Sequence, residues 1–352
     1  MTSEPLPQGL DQAGPALINA GNRQDRSSPF FDTGANLISA ENIRRICLEA
    51  GAYDVGFVDI DRESLAMERT DILRVYPRTR TIISVIQNLN RENIQSPARY
   101  LSTEEFYRSS DDLAGISRTI LRRLNQLGIR GVAMTGAFPM DMNKYPGKIW
   151  DVSHKLVAVA AGRGHMGINR LVLHPKCGSC VELNSILIDA ELDQYDQPLA
   201  QNPCSDCRLC VAVCPVGAIS RDKPFDFMAC MTHSYRDNSI GFLDWIDAMI
   251  SSADLSAYRA RFRDRETASM WQSLMYKMDF KCGCCMAVCP AGQDIQPGFR
   301  ERKANFMKEV FRPLKDRIEP IYVVAGSPAE VRARRNPNKE IRYVGLSPAK
   351  RI

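Results

Sequence analysis

The chain has 352 residues, 44% hydrophobic and 25% charged, which is long enough for two domains with separate cores. Its net charge of +5 permits contact with nucleic acid without arguing for it, since a dedicated binder concentrates its basic residues on one face. No apolar run approaches the ~18 residues of a membrane span and no secretory pattern opens the chain, so a cytoplasmic protein with no membrane partner is expected.

Residues 1–38 are polar, rich in Pro, Gly, Gln and Asn, and read as a disordered tail. The Arg44–Arg45 pair could suggest a twin-arginine signal, but it sits inside a helical pattern. Ser39 is the N-cap, Ile43, Ile46, Cys47 and Ala50 recur at helical spacing, and Gly51 is the stop. Cys47 on that apolar face reads as a core residue. An apolar stretch from Tyr53 to Ile60 and a strand-like run from Thr81 to Ile86 follow. A helix is expected from Asp111 to Leu127, with Leu113, Ile116, Ile120, Leu121, Leu124 and Leu127 on one side and Gly128 as its end. Gly131 to Thr135 reads as a strand, Asp151 to Ala161 as a helix, and Val181 to Leu192 as a strand or hairpin arm. Together these predict an α/β domain over residues 39–200.

Gly162, Gly164 and Gly167 have the G-x-G-x-x-G spacing of a dinucleotide site. That fingerprint needs a strand before it and a helix after it, and the order here is reversed. The glycines still imply a backbone lying close to a neighbouring element or a large planar cofactor.

Twelve cysteines in a chain with no export signal do not read as disulfides. PCSDCRLCVAVCP carries Cys204, Cys207, Cys210 and Cys214 before Pro215, the C-x2-C-x2-C-x3-C-P run of bacterial ferredoxins, whose fourth Cys ligates the other cluster. KCGCCMAVCP carries Cys282, Cys285 and Cys289 before Pro290, which is the same run short of one member. Two [4Fe–4S] clusters need about eight thiolates, and Cys230, sixteen residues after Cys214, is the candidate eighth. Cys204, Cys207, Cys210 and Cys289 are therefore expected on one cluster and Cys214, Cys230, Cys282 and Cys285 on the other. Cys284 could replace Cys285 in the register, although the x3 step to Cys289 favours Cys285. Cys177 and Cys180 form a C-x2-C pair that reads either as structural or as a redox or metal pair. Arg332, Arg334, Arg335, Lys339, Arg342, Lys350 and Arg351 form a basic cluster that reads as a solvated tail.

The block from Gly162 to Leu192, GRGHMGINRLVLHPKCGSCVELNSILIDAEL, followed by the two-cluster cysteine set, resembles the epoxyqueuosine reductases and their relatives, the corrinoid-dependent reductive dehalogenases. The resemblance covers about residues 40–295, and the gap from Cys214 to Cys230 matches the family's eighth ligand. It implies an α+β protein: a nitroreductase-like, cobalamin-binding α/β domain, a bacterial ferredoxin-like 2[4Fe–4S] domain over 201–298, and a C-terminal extension over 299–352. A corrinoid bound base-off would receive electrons through the clusters, with Tyr100, Gly164, His165, Gly167, Asn169 and His174 on its side. The epoxyqueuosine reductases carry an acid in a V-D-T-G-P motif. The matching stretch here is Ala133-Met134-Thr135-Gly136-Ala137, where Met134 cannot donate a proton, and Asp141 is a possible substitute. Glu105-Phe106-Tyr107-Arg108 resembles the Y-Y-R segment of the dehalogenases, which makes Tyr107 a candidate acid with Arg108 or Lys144 to lower its pKa. The expected function is a cobalamin-dependent iron–sulfur reductase acting on a small organic substrate, fed by a low-potential ferredoxin or flavodoxin. The alternatives are epoxyqueuosine reduction on tRNA and a non-catalytic electron carrier.

Overall fold

Ser39 accepts a hydrogen bond from the Asn42 amide at 3.3 Å and so caps helix α1 (Ala40–Glu49), which buries Ile43 and Cys47. The computed structural model to which this helix belongs describes residues 38–136, 138–145 and 147–345, without the side chains of Ser239 and Ile240. All but the last residue of the expected N-terminal tail, together with Ala137, Lys350 and Arg351, lies outside the described residues.

A four-stranded antiparallel sheet forms the frame, in the order β1 (Asp54–Asp59), β2 (Thr81–Asn88), β6 (Val181–Ile188), β3 (Gly131–Ala133). Every residue of β2 from Thr81 to Ile86 is buried, as a central strand covered on both faces requires. Alternation sorts its side chains. Ile83 and Val85 join Ile43, Cys47, Phe57, Leu113, Ile120 and Leu124 under α1 and the long helix α4 (Arg99–Gln126). On the other face Ile82 joins Val58, Leu65, Ile72 and Val157 under α2 (Ala66–Val75) and α5 (His154–Ala160). The short helix α3 (Arg91–Gln95) links β2 to α4.

α4 begins twelve residues before its expected start at Asp111. Its first turns lack an apolar stripe because their partner is a distant polar segment. Arg99 donates to the Phe280 carbonyl at 3.0 Å and pairs with Asp279 at 3.1 Å, and the Tyr107 hydroxyl donates to the Met278 carbonyl at 2.6 Å.

After α5 the chain makes a small hairpin, β4 (His165–Met166) and β5 (Val172–Leu173), and then enters β6. The remainder is built of short helices. These are α6 (Leu209–Val213), α7 (Phe227–Ser234), α8 (Ser239–Ser251), α9 (Leu255–Arg261), α10 (Asp264–Met275), α11 (Cys284–Ala287), α12 (Gln296–Glu301), α13 (Lys303–Phe306) and α14 (Arg312–Asp316). A parallel pair, β7 (Glu319–Val323) and β8 (Lys339–Tyr343), joined by α15 (Pro328–Ala333), closes the described chain. The architecture is mixed α/β, and the described residues cluster as one compact unit.

One backbone clasp ties the sheet to the cysteine-bearing helices. The amides of Gln293 and Asp294 donate to the carbonyls of Pro175 and Lys176 at 2.8 and 3.2 Å. Gly178, at φ +65, has space for a Cβ only 2.0 Å from the Ala291 carbonyl oxygen, and Gly292, at φ +106, only 2.3 Å from that of Lys176. Two main chains approach closely enough here that a side chain on either would separate them.

Candidate cluster site and adjoining cleft

Asp206 and Arg208 hold left-handed backbone conformations, φ 51 and 60, and these turns fold the Cys204–Cys210 stretch back on itself before α6 begins. Cys204, Cys207, Cys210 and Cys289 meet around a small recess walled by Ile168, Asn169, Leu173 and Pro290. Burial pushes the Cys210 thiol up to about 12, with Cys289, Cys207 and Cys204 adding to the shift. These are metal-free values. A soft iron–sulfur core neutralises closely set thiolates, so such a group is what this sulfur-rich, mostly apolar pocket suits.

Cys214, Cys230 and Cys285 form a second gathering. Asp226 caps α7 through the Ala229 amide at 2.9 Å and so holds Cys230 in place. Burial raises Cys230 to about 12, then Cys214 raises it further, and Cys285 is raised by burial, Cys230 and Cys214 in that order. Cys282 is raised by its hydrogen bond with Cys284 and by burial, and it too feels Cys285 and Cys214. Cys284 turns the other way, into the core with Leu209 and Phe311, where Arg317 Nη2 approaches its sulfur at 4.0 Å. Cys285 thus lies with Cys214 and Cys230, while Cys284 keeps a hydrogen bond to Cys282 that lowers its thiol to about 7. Among the described residues no three His, Cys, Asp or Glu converge on a single-ion site. A cubane places each thiolate on a different iron, so it does not need that convergence.

The C-terminal segment braces this assembly. Arg332 Nη2 donates to the carbonyls of Val211 and Ala212 at 3.2 and 3.3 Å, and its Nε to that of Cys214 at 3.4 Å, supplying donors for the open end of α6. Arg332, Arg334, Lys339 and Arg342 of the basic cluster are therefore not part of a solvated tail. Arg334 pairs with Glu330 at 2.6 Å, Lys339 with Glu319 at 2.7 Å and Arg342 with Glu266 at 2.7 Å, all within folded elements. Glu319 also takes Arg317 at 2.7 Å; burial raises its pKa, but the two cations outweigh that and hold it low.

Most of the residues expected beside a corrinoid have close partners within the protein. A Cβ on Gly164 would lie 2.4 Å from Val172 Cγ1, and one on Gly167 2.8 Å from Leu173 Cδ1, so these glycines make room for the hairpin's own return strand. Asn169 is buried between the two cysteine gatherings, lining the first recess and donating to the Cys285 carbonyl at 3.4 Å. His174 is committed to Asp54, with Nε2 and Oδ2 2.9 Å apart, and its Nδ1 lies 3.4 Å from Cys177 Sγ. Cys177 and Cys180 are both buried, and burial pushes Cys177 up to about 12. His165 Nδ1 lies 3.3 Å from the Met166 carbonyl, and Tyr100 stands 70% exposed on α4.

The expected acidification of Tyr107 is corrected. Burial and then Asp279 hold its hydroxyl well above the usual phenol range. Arg108 points outward to Glu104 at 2.6 Å, and Lys144 is engaged by Asp151 and Asp141. Asp141 caps the 3₁₀ turn Met142–Lys144 through the Asn143 amide at 3.2 Å. Met134 packs against the core and donates its amide to the Ser185 carbonyl at 2.9 Å.

Three side chains not anticipated from the sequence mark a cleft beside the second cysteine gathering. Burial lowers Lys155, raises Glu182 to about 7 and raises Tyr235 to about 12. Yet Lys155 remains exposed, and Glu182 and Tyr235 are half-buried. Groups set deep in protein that still touch open space are the wall of a cleft. Lys155 and Tyr235 both sense Cys230, Cys285 and Glu182, which places the four elements around one space. Glu182 shares β6, VELNSILI, with Asn184 and Ser185, so nothing in the sequence set it apart.

No family model matches the chain. Among curated proteins it is 27% identical over 219 residues to the epoxyqueuosine reductase of Salmonella typhimurium (strain LT2), covering 55% of the chain and 55% of that protein. It is 30% identical over 240 residues to that of Pseudomonas aeruginosa, covering 66% of the chain and 64% of the relative. The matched stretch thus spans about half the length of the Salmonella relative. Among solved structures it overlaps the epoxyqueuosine reductase of Streptococcus thermophilus with a TM-score of 0.41 at 16% identity, covering 84% of the chain and 80% of the other. A catabolic reductive dehalogenase gives 0.46 at 16% identity, covering 84% and 35%. Neither overlap is close enough for a shared fold to follow from it. On sequence, the chain is similar to the epoxyqueuosine reductases.

Proposed function

We infer that the chain is an iron–sulfur oxidoreductase that reduces epoxyqueuosine, as the names of its curated relatives describe for them, with tRNA as the carrier of that nucleoside. The observation that carries this reading is the gathering of Cys204, Cys207, Cys210 and Cys289 and, apart from them, of Cys214, Cys230 and Cys285, the latter within electrostatic reach of an amine and a phenol. Two [4Fe–4S] clusters would be held by Cys204, Cys207, Cys210 and Cys289 and by Cys214, Cys230, Cys282 and Cys285. They would pass single electrons inward from a ferredoxin or flavodoxin. Asn169, between the two sets, positions both. The matches favour this reading over the dehalogenase-like one expected from the sequence. Reduction of a small organic substrate keeps one observation in its favour, the apolar Met134 where the tRNA enzymes' motif has an acid.

Gly164, Gly167, Asn169 and His174 each have close neighbours within the protein, and no step runs through a corrinoid. The cleft beside Lys155, Glu182 and Tyr235 is the space such a group would have to take. Among the described residues no helix is long and apolar enough to cross a membrane, and a cytoplasmic location suits a tRNA substrate. The test is anaerobic purification after expression with supplied cobalamin, metal analysis, and incubation with epoxyqueuosine-containing tRNA and a low-potential one-electron donor. About eight iron per chain and loss of the epoxide, read by nucleoside mass spectrometry, is the expected result. About eight iron with the epoxide intact would overturn the tRNA reading, and cobalt content decides the corrinoid.

A further inference from the structure

The cleft contains a carboxyl that the sorting of the cysteines does not use. Glu182 stands on β6 opposite Gln87 of β2, near the loop that follows β3. A Cβ built on Gly136 would lie 3.9 Å from Glu182 Oε1 and 3.5 Å from Ser110 Oγ of α4. Among the described residues no donor reaches the Glu182 carboxyl within hydrogen-bond distance, and Lys155 is the one charged group that shifts it. Lys155 Nζ is itself tied to the Arg170 carbonyl at 3.1 Å. The other titratable groups facing this space are His154 of α5, Tyr235 beyond α7, and Cys230 and Cys285. His154 is held between Ser185 Oγ and the Thr135 carbonyl, both at 2.9 Å.

We propose that Glu182 is the proton-delivering acid of this cleft, filling from β6 the role that Met134 cannot fill from the β3 loop. The proposal rests on the reductase reading above and names its acid. A carboxyl that no hydrogen bond holds as the anion, desolvated and close to an amine, keeps its proton near neutral pH and can hand it on. The reaction balances. An epoxide losing its oxygen as water takes two electrons, supplied singly by the donor through the clusters, and two protons. Glu182 gives the first proton and is left as a carboxylate facing Lys155; water reprotonates it, and it gives the second. Lys155 is the positioning partner that stabilises the anion between the two transfers.

The test compares the cluster-loaded wild type with Glu182→Gln and Glu182→Asp under anaerobic conditions. Infrared difference spectra across pH should show a protonated carboxyl that titrates near neutrality in the wild type and is missing in Glu182→Gln, with iron content unchanged. The potential of the second cluster, followed by EPR, should depend on pH in the wild type and lose that dependence in Glu182→Gln. Epoxide loss from tRNA should fall by about 10²- to 10⁴-fold in Glu182→Gln and be partly restored in Glu182→Asp. A titrating carboxyl that survives in Glu182→Gln, or turnover that Glu182→Gln leaves intact, would overturn the assignment. A wild type that shows the coupled titration but leaves the tRNA epoxide untouched supports the acid and overturns the tRNA reading instead.

Discussion

The clasp between residues 175–178 and 291–294 is a place where one methyl group should decide whether a cluster is held. In Gly178→Ala the new Cβ would lie 2.0 Å from the Ala291 oxygen, while ordinary contact begins at 3.4 Å, so the carbonyl must retreat by about 1.4 Å. The left-handed backbone at φ +65 adds ~1–2 kcal/mol for an L-residue, and overpacking a tight contact costs ~1–3 kcal/mol. Ala291 follows Cys289 by two residues across Pro290, so the displacement reaches the one thiol of the first gathering that comes from beyond α7. Iron should drop from about eight to about four per chain, with the second cluster's EPR signal retained. Gly326→Ala is the control, because Gly326 has φ +74 and nothing within 4 Å of its added Cβ. It carries the backbone strain without the collision and should keep full iron. If Gly178→Ala holds about eight iron, or Gly326→Ala loses as much as Gly178→Ala, the clasp does not position Cys289.

Cys230→Ala should halve iron to about four per chain, whereas Cys284→Ala should leave it unchanged, since Cys284 faces Arg317; equal iron in the two variants would refute the register. Arg332→Gln removes the charged donors at the end of α6 and should lower the thermal midpoint, by ~1 kcal/mol for hydrogen bonds to partly exposed carbonyls, without changing iron content at low temperature; an unchanged midpoint would refute the brace. Glu182 binds its proton more tightly when folded, to about 7 against 4.5, so its contribution is full below 4.5 and is lost as pH rises through 7. The wild type should therefore lose up to ~3 kcal/mol relative to Glu182→Gln between about pH 5 and 8, read as a divergence of their thermal midpoints, and parallel curves would refute the shift. Cluster reconstitution from iron and sulfide should speed up with rising pH, because buried thiols such as Cys210 and Cys230 must release protons to bind metal; a flat profile would argue against their burial.

Local patterns were legible in the sequence where a single segment carried its own reason. The cap at Ser39, the apolar faces of α1 and the later half of α4, and the continuous run of β2 each announced themselves by period. The cysteine spacings were legible because short intervals between thiols leave few geometries. What stayed hidden depends on meetings between distant segments. The first three turns of α4 bury polar side chains against residues 278–281, so they show no apolar stripe. Glycines 164 and 167 looked like a cradle for something large, yet Val172 and Leu173 occupy that space. Lys155, Glu182 and Tyr235 are ordinary surface-type residues in sequence. They become a group only when α5, β6 and the end of α7 close around one cleft.

The brace from Arg332 to the end of α6 has a consequence for how the molecule is made. A ribosome releases Cys204, Cys207 and Cys210 long before Cys289, and Arg332 later still, so a nascent chain exposes three thiols with neither their fourth partner nor their support. Neither gathering can be completed until the segment from Cys282 to Cys289 has emerged. Loading of the proposed clusters would therefore wait until Cys289 has emerged, with the exposed half-set open to oxidation and stray ions until then. Growth conditions that slow translation between Cys214 and Cys289 would then leave more chains with iron missing and thiols oxidised, even where every residue is in place.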